Sequence, residues 1–183
     1  MKKKIAVVLP DLGGGGAEKI AFLVAKGLSE KCDVTLVLFR KTGEYVRYLT
    51  PDIRVQVLNT DHRSFRGIIR TMIRLRRLLK GYSDVLCGFQ LYTEFIVSVS
   101  VAGYNCRVIP VVQISISDLM DRLGFRGRLL RPFGHLYRFF DKIICCSRGV
   151  RMDLNKRYNI HMEKLHVINN CLYYFEGSGS DSP

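Results

Sequence analysis

Short runs rich in Val and Ile alternate along this chain with segments whose apolar residues recur at helical spacing, and few folds accept that order. Ile5–Leu9 and Val34–Phe39 read as buried strands. Ile53–Leu58, with Ile53, Val55 and Val57 on one side, reads as a third, and Asp84–Cys87, Val108–Val112, Lys142–Cys146 and Leu165–Ile168 continue the series. Between them, Ala17, Ile20, Ala21, Val24 and Leu28 form one helical stripe, and Phe65, Ile68, Ile69, Met72, Ile73 and Leu79 form another. The 92–103 segment alternates like a strand through Ile96-Val97-Ser98-Val99-Ser100-Val101. A parallel pair needs a crossover at that point, so the segment is read as a helix. The expected fold class is α/β: a Rossmann-like parallel sheet with helices on both faces and right-handed crossovers. No internal repeat is visible.

A length of 183 residues suits one domain, or one half of a two-domain enzyme. Residues 1–170 are assigned to the domain. The small, polar segment 171–183 is expected to be a flexible tail. The six cysteines include no C-x-x-C pair, and several sit in apolar runs, which points to free buried thiols in a reducing cytosol rather than zinc ligands or a disulfide framework. The four histidines share no spacing that marks a metal site. The apolar run after Met1-Lys2-Lys3-Lys4 stops at Pro10-Asp11, too short for a signal peptide, and no stretch approaches the ~20 apolar residues of a membrane span. A cytoplasmic chain is expected.

The first strand runs into Gly13-Gly14-Gly15-Gly16 at the start of a helix. Ligands of open α/β sheets bind beyond the carboxyl ends of the strands. Glycines leave no Cβ in the way, and a helix start offers unpaired N–H groups and partial positive charge, so the turn suits a phosphate or carboxylate. A loop that merely turns the chain is the plainer alternative. Two common nucleotide motifs are excluded. No Gly-Lys-Ser/Thr is present for a Walker loop, and G-x-G-x-x-G fails because Glu18 and Lys19 stand where the last glycine belongs. The second strand ends at Phe39-Arg40-Lys41, without an acidic residue for a ribose.

The stretch Leu9-Pro10-Asp11-Leu12-Gly13-Gly14-Gly15-Gly16-Ala17-Glu18-Lys19 resembles the opening of retaining GT-B glycosyltransferases of family 4. Ala25–Glu30, Asp33–Val37, Asp84-Val85-Leu86, Asp141–Ser147 and Lys164–Asn170 match in the same order, so the likeness covers roughly residues 4–170. The resemblance implies the N-terminal half of a GT-B fold, holding mainly a glycan or lipid-linked acceptor, facing a second domain that holds a nucleotide sugar. It places the glycine turn, Gly13 to Gly16, against the donor's phosphates or transferred sugar. It implies no metal and no cofactor beyond the nucleotide sugar as co-substrate. Cell-surface polysaccharide synthesis is the expected setting.

Two departures stand out. Gln113 falls where many members carry a His; an amide carries no charge but can hydrogen-bond a sugar hydroxyl, or serve only as a capping group. The pattern also stops at Asn170, where a linker to the donor domain is expected, and Cys171 replaces the usual Pro or Gly. On this reading the donor domain is absent and the chain alone is inactive or nearly so, because most electrostatic stabilisation of the leaving phosphate is missing. A noncatalytic binding module, or one subunit of a split enzyme needing a separate donor chain, is the alternative.

A formal charge of +13, from 29 Lys and Arg against 16 Asp and Glu, calls for an anionic partner. Arg66, Arg70, Arg74 and Arg77 share one face of the 65–80 helix, with Arg76 and Lys80 nearer its apolar arc. Arg126, Arg128 and Arg131, with Arg122 and Arg138, interleave with Phe125, Leu129, Leu130, Phe133 and Phe139. Solvated faces and core packing account for such residues too. Basic residues mixed with large apolar ones suit an anionic membrane surface, hence peripheral attachment to the cytoplasmic leaflet. No nucleic-acid-binding signature appears, so nucleic acid is not expected as a partner. Glu18 either complements the first helix dipole or touches acceptor or sugar. Asp118 either caps the helix after the fifth strand or binds an acceptor hydroxyl. Ser147 is expected to cap the helix starting near Arg148.

Overall fold

The computed structural model describes residues 2–170 apart from 52, 62, 63, 82 and 83. The tail expected at 171–183, Cys171 and His62 lie outside the described residues. Seven parallel strands form the sheet: β1 (Lys4–Leu9), β2 (Asp33–Leu38), β3 (Arg54–Val57), β4 (Val85–Gly88), β5 (Arg107–Val112), β6 (Ile143–Cys145) and β7 (Leu165–Val167). Their order is β3-β2-β1-β4-β5-β6-β7. The chain therefore builds outward from β1 to β3, then crosses back to lay β4 on the other side of β1. The carboxyl ends of β1 and β4 flank the point where the winding reverses, which is where open α/β sheets hold ligands.

Among the described residues six α-helices connect the strands: α1 (Gly16–Ser29), α2 (Phe65–Leu79), α3 (Leu91–Ser100), α4 (Ile116–Arg122), α5 (Phe125–Leu130) and α6 (Arg148–Tyr158). The 92–103 ambiguity resolves as helix. Strand residues alternate between two cores, as a period of two demands. Ile5, Val7 and Leu9 pack with Val34, Leu36 and Leu38 against Ala21, Phe22 and Ala25 of α1. Ala6, Val8 and Val37 point the other way, against Leu75 and Leu79 of α2 and Ile96 and Val97 of α3. On that second face a further cluster joins Val112, Ile143 and Cys145 to α4, α6 and the 3-10 segment Arg131–Phe139. Fully burying each such aliphatic side chain stabilises by roughly 1.5–3 kcal/mol.

The loop after β2 is locked to the glycine turn. Leu12 N–H donates to Thr42 C=O at 2.9 Å, and Tyr45 N–H donates to Leu12 C=O at 3.1 Å. Gly43, at φ 113°, makes the bend, and a side chain there would run into the Leu12 carbonyl.

One expectation is corrected. Of the α2 stripe, Ile68, Met72 and Leu79 pack against the core, but Phe65, Ile69 and Ile73 do not. The buried row is Gly67, Thr71, Leu75 and Leu79. Gly67 lets the helix lie against the backbone at Asp61, and the Thr71 hydroxyl bonds Thr60 Oγ1 at 2.8 Å. These small and polar contacts rotate the helix, leaving Phe65 77% exposed and Ile69 and Ile73 largely exposed. Arg76, nearer the apolar arc, donates to the Ser100 and Ala102 carbonyls, both at 3.0 Å, and stacks on Tyr104, tying α2 to the end of α3. Ser147 caps α6 as expected, its Oγ accepting from Val150 N–H at 3.2 Å.

Candidate functional site

Three loops meet beyond the strand ends: 10–15 after β1, 89–90 after β4 and 113–115 after β5. None of the four glycines adopts positive φ. At Gly14 and Gly15 the missing Cβ leaves space that neighbouring side chains fill, whereas one at Gly16 would meet nothing. A Cβ at Gly14 would lie 2.9 Å from Glu44 Oε2, and one at Gly15 would overlap the Glu18 carboxylate. Gly15 is the N-cap of α1 and Glu18 stands three residues on, folding back over the cap as a capping-box glutamate does. Glu18 Oε1 also accepts from Gln90 Nε2 at 2.8 Å, which links α1 to the loop after β4. Asp11 accepts from Gly13 N–H at 3.2 Å and pairs with Arg40 at 3.2 Å. The helix start thus lies among three carboxylates, Asp11, Glu18 and Glu44. An anion at Gly14–Gly15 has to share space with two of them, whereas sugar hydroxyls can donate to them.

Next to the turn is a cavity of about 430 Å³, lined among others by Ala17 of α1, Phe89 and Gln90 after β4, Tyr92 of α3 and Val111 and Val112 at the end of β5. Gln113 lines it. Its Oε1 accepts from Asn170 Nδ2 at 2.9 Å, while its Nε2 is buried with no hydrogen-bond partner. Burial, then the Asp11 carboxylate, pushes the Tyr92 phenol up to about 12, so it stays a neutral O–H at neutral pH.

Glu94, on α3, forms part of the cavity wall and is 1% exposed. Its carboxyl accepts from the Tyr137 hydroxyl and from the Val111 backbone. Desolvation outweighs both bonds and raises it to about 8, so it is an uncharged acid at neutral pH. Gly88 makes room for it: a Cβ there would stand 2.8 Å from Glu94 Cγ. Sequence reasoning passed over Glu94 because it sits in an apolar segment read only for secondary structure.

Other expected site residues are placed differently. Asp118 is exposed, and the N-cap of α4 is Ser115, whose Oγ accepts from Asp118 N–H at 3.2 Å; the capping role expected of Asp118 is corrected to Ser115. Asp118 does not line the cavity. Arg66, Arg70 and Arg77 are exposed beside Phe65, Ile69 and Ile73. Arg74 leaves their group, because its guanidinium is held by the Leu58 and Asn59 carbonyls. Arg126 and Arg128 are exposed on α5 with Phe125 and Leu129, while Arg131 is paired with Asp121. Among the described residues no group of three or more His, Cys, Asp or Glu side chains is placed to hold a metal, and no helix is long and apolar enough to cross a membrane.

The sequence model of Glycosyltransferase Family 4 matches residues 14–172. The chain belongs to that family. Solved structures agree at the level of fold. HepE of Anabaena, crystallised with UDP and glucose, superposes with a TM-score of 0.73 at 17% identity, over 94% of this chain and 45% of its own. The lipopolysaccharide outer core galactosyltransferase WaaB, in its apo form, gives 0.69 at 14%, over 92% and 46%. MurG of Acinetobacter baumannii gives 0.63 at 17%, over 95% and 47%. No curated protein matches the sequence. The family 4 chain described here thus spans less than half the length of these structures, and its sheet is that of one half of a GT-B glycosyltransferase.

Proposed function

We propose that this chain is the acceptor-binding half of a glycosyltransferase that moves a sugar from a nucleotide sugar to a glycan or lipid-linked acceptor in cell-surface polysaccharide synthesis. One observation carries the reading. A cavity with few polar groups lies beyond the ends of β4 and β5 of a family 4 domain, next to the winding reversal and the carboxylate-ringed glycine turn. Glu18, Gln113 and Tyr92 supply groups for hydroxyls, whereas no cluster of basic side chains lines the cavity for a diphosphate. In the transfer, the acceptor oxygen bonds to the anomeric carbon, the bond from that carbon to the diphosphate breaks, and the hydroxyl proton leaves with the diphosphate. The charge that develops on the diphosphate falls to a second domain. The nucleotide sugar is a co-substrate, and no resident cofactor or metal is assigned.

Exposed Phe65, Ile69 and Ile73 among Arg66, Arg70 and Arg77 support attachment to an anionic membrane, on the cytoplasmic leaflet where nucleotide sugars are found. A second reading, one subunit of a split enzyme, draws on the half-length match to each neighbour. Saturation-transfer NMR tests the main reading. Lipopolysaccharide core oligosaccharides and glycolipids are expected to receive magnetisation from the protein, and the uridine of UDP-glucose is not. Transfer to uridine alone would overturn the acceptor role.

A further inference from the structure

The wall of the cavity is unlike a sugar site. Eleven of its sixteen lining residues are apolar, among them Val112, Ile116, Leu119, Met120, Leu123 and Leu130, and its polar side chains are few. A glycan buried there would leave most hydroxyls without partners, at a cost of roughly 1–3 kcal/mol for each. Its size falls within the range of small-molecule pockets. Four of its wall residues, Tyr92, Ile114, Leu123 and Leu130, are also exposed, so the cavity reaches the surface along that rim. Close by in sequence, α5 exposes Phe125 and Leu129, with Arg126 and Arg128 beside them. An apolar hole thus lies beside a cluster of neutral polar groups, Gln90 and Gln113, which complements a hydrocarbon chain attached to a polar headgroup.

We propose that this cavity holds the hydrocarbon chain of an amphipathic acceptor, with the polar end toward Gln113, Gln90 and the glycine turn. The inference rests on the acceptor-binding reading and narrows it from a glycan to a lipid-type acceptor. Glu94 fits the same picture: kept uncharged by its surroundings, it leaves no buried charge facing the chain.

Titration of the 183-residue chain, carrying 13C-methyl methionine, with n-octyl β-D-glucopyranoside below its micelle concentration tests this. Methyl β-D-glucopyranoside is the chain-free control. The octyl glycoside is expected to shift the Met120 methyl signal with saturation, while the methyl glycoside leaves it unmoved at the same concentration. Leu123→Arg, at the partly exposed rim, is expected to weaken octyl binding at least tenfold with an unchanged thermal midpoint. Should that variant unfold, Leu130→Arg at another exposed wall position serves the same purpose. A geranyl glycoside separates prenyl from straight chains: saturable Met120 shifts with either support the proposal, and the tighter ligand identifies the source. Equal shifts with both methyl and octyl glycosides would overturn it, as would octyl binding that ignores Leu123→Arg and moves no Met120 signal. Octyl binding without transfer of saturation from protein to any acceptor saccharide would leave the chain-binding site standing and remove the acceptor reading instead.

Discussion

At the residue scale, Glu94 sets the most direct test. The folded chain keeps its proton up to about pH 8, whereas the unfolded chain releases it in the ordinary carboxylate range. The stability linked to that proton is therefore fully present below the ordinary range and is lost as pH rises through about 8. Tyr137 faces the carboxyl, with Cys145 and Tyr158 beyond it, and burial holds all three neutral through that window. Urea melts from pH 5 to 9 are expected to show stability falling by up to about 1.4 kcal/mol per pH unit, a slope that Glu94→Gln abolishes. A wild-type profile flat across pH 5–8 would place the proton elsewhere. Gly88→Ala tests the same corner sterically: its Cβ meets Glu94 Cγ at 2.8 Å, and a loss of about 1–3 kcal/mol is expected in the same melts. Little of this was legible in the sequence. Glu94 carries no motif, and its uncharged state comes from tertiary burial, against the opposing bond from Tyr137, 43 positions away. Gly13–Gly16 were legible as a tight turn between the first strand and helix, but the carboxylate of Glu44 above Gly14 arrives through a loop whose course no local pattern gives.

At the scale of elements, strands and crossovers were readable because a two-sided sheet demands apolar runs of fixed length. The orientation of α2 was not. Periodicity placed Phe65, Ile69 and Ile73 inward, since it weighs side-chain size and ignores that Gly67 and Thr71 permit closer packing. The consequence can be measured. Replacing Phe65, Ile69 and Ile73 together with Ser is expected to change stability little, within about 0.5 kcal/mol per site for exposed positions, while reducing sedimentation with anionic liposomes. Leu75→Ala, on the buried row, is expected to cost about 2–5 kcal/mol. If the Ser variant instead lost as much stability as Leu75→Ala, α2 would be packed by its apolar stripe after all. At α6 the local signal sufficed, and Ser147→Ala is expected to cost about 1 kcal/mol through the lost cap.

At the scale of the molecule, the net charge of +13 makes liposome binding a salt-dependent quantity. Binding to vesicles containing phosphatidylglycerol is expected to drop steeply between low and physiological salt, and neutral vesicles are expected to bind weakly throughout. Retention on neutral vesicles would shift the weight from the arginines to the aromatics. The 183-residue chain alone is expected to release no UDP from UDP-glucose or UDP-galactose. The winding order carries a consequence for how such a chain comes into being. Strand β1 lies in the middle of the sheet, yet it leaves the ribosome first and meets its two neighbours at different times. It can be zipped to β2 early, through Lys4–Asp33 to Leu9–Leu38, but its other edge has nothing to pair with until Val85–Gly88 has been made. During that interval an apolar strand presents a bare row of amides and carbonyls, the geometry that invites pairing with the wrong chain. A nascent chain halted before β4 is therefore the aggregation-prone species, and one halted just after Gly88 has closed that edge.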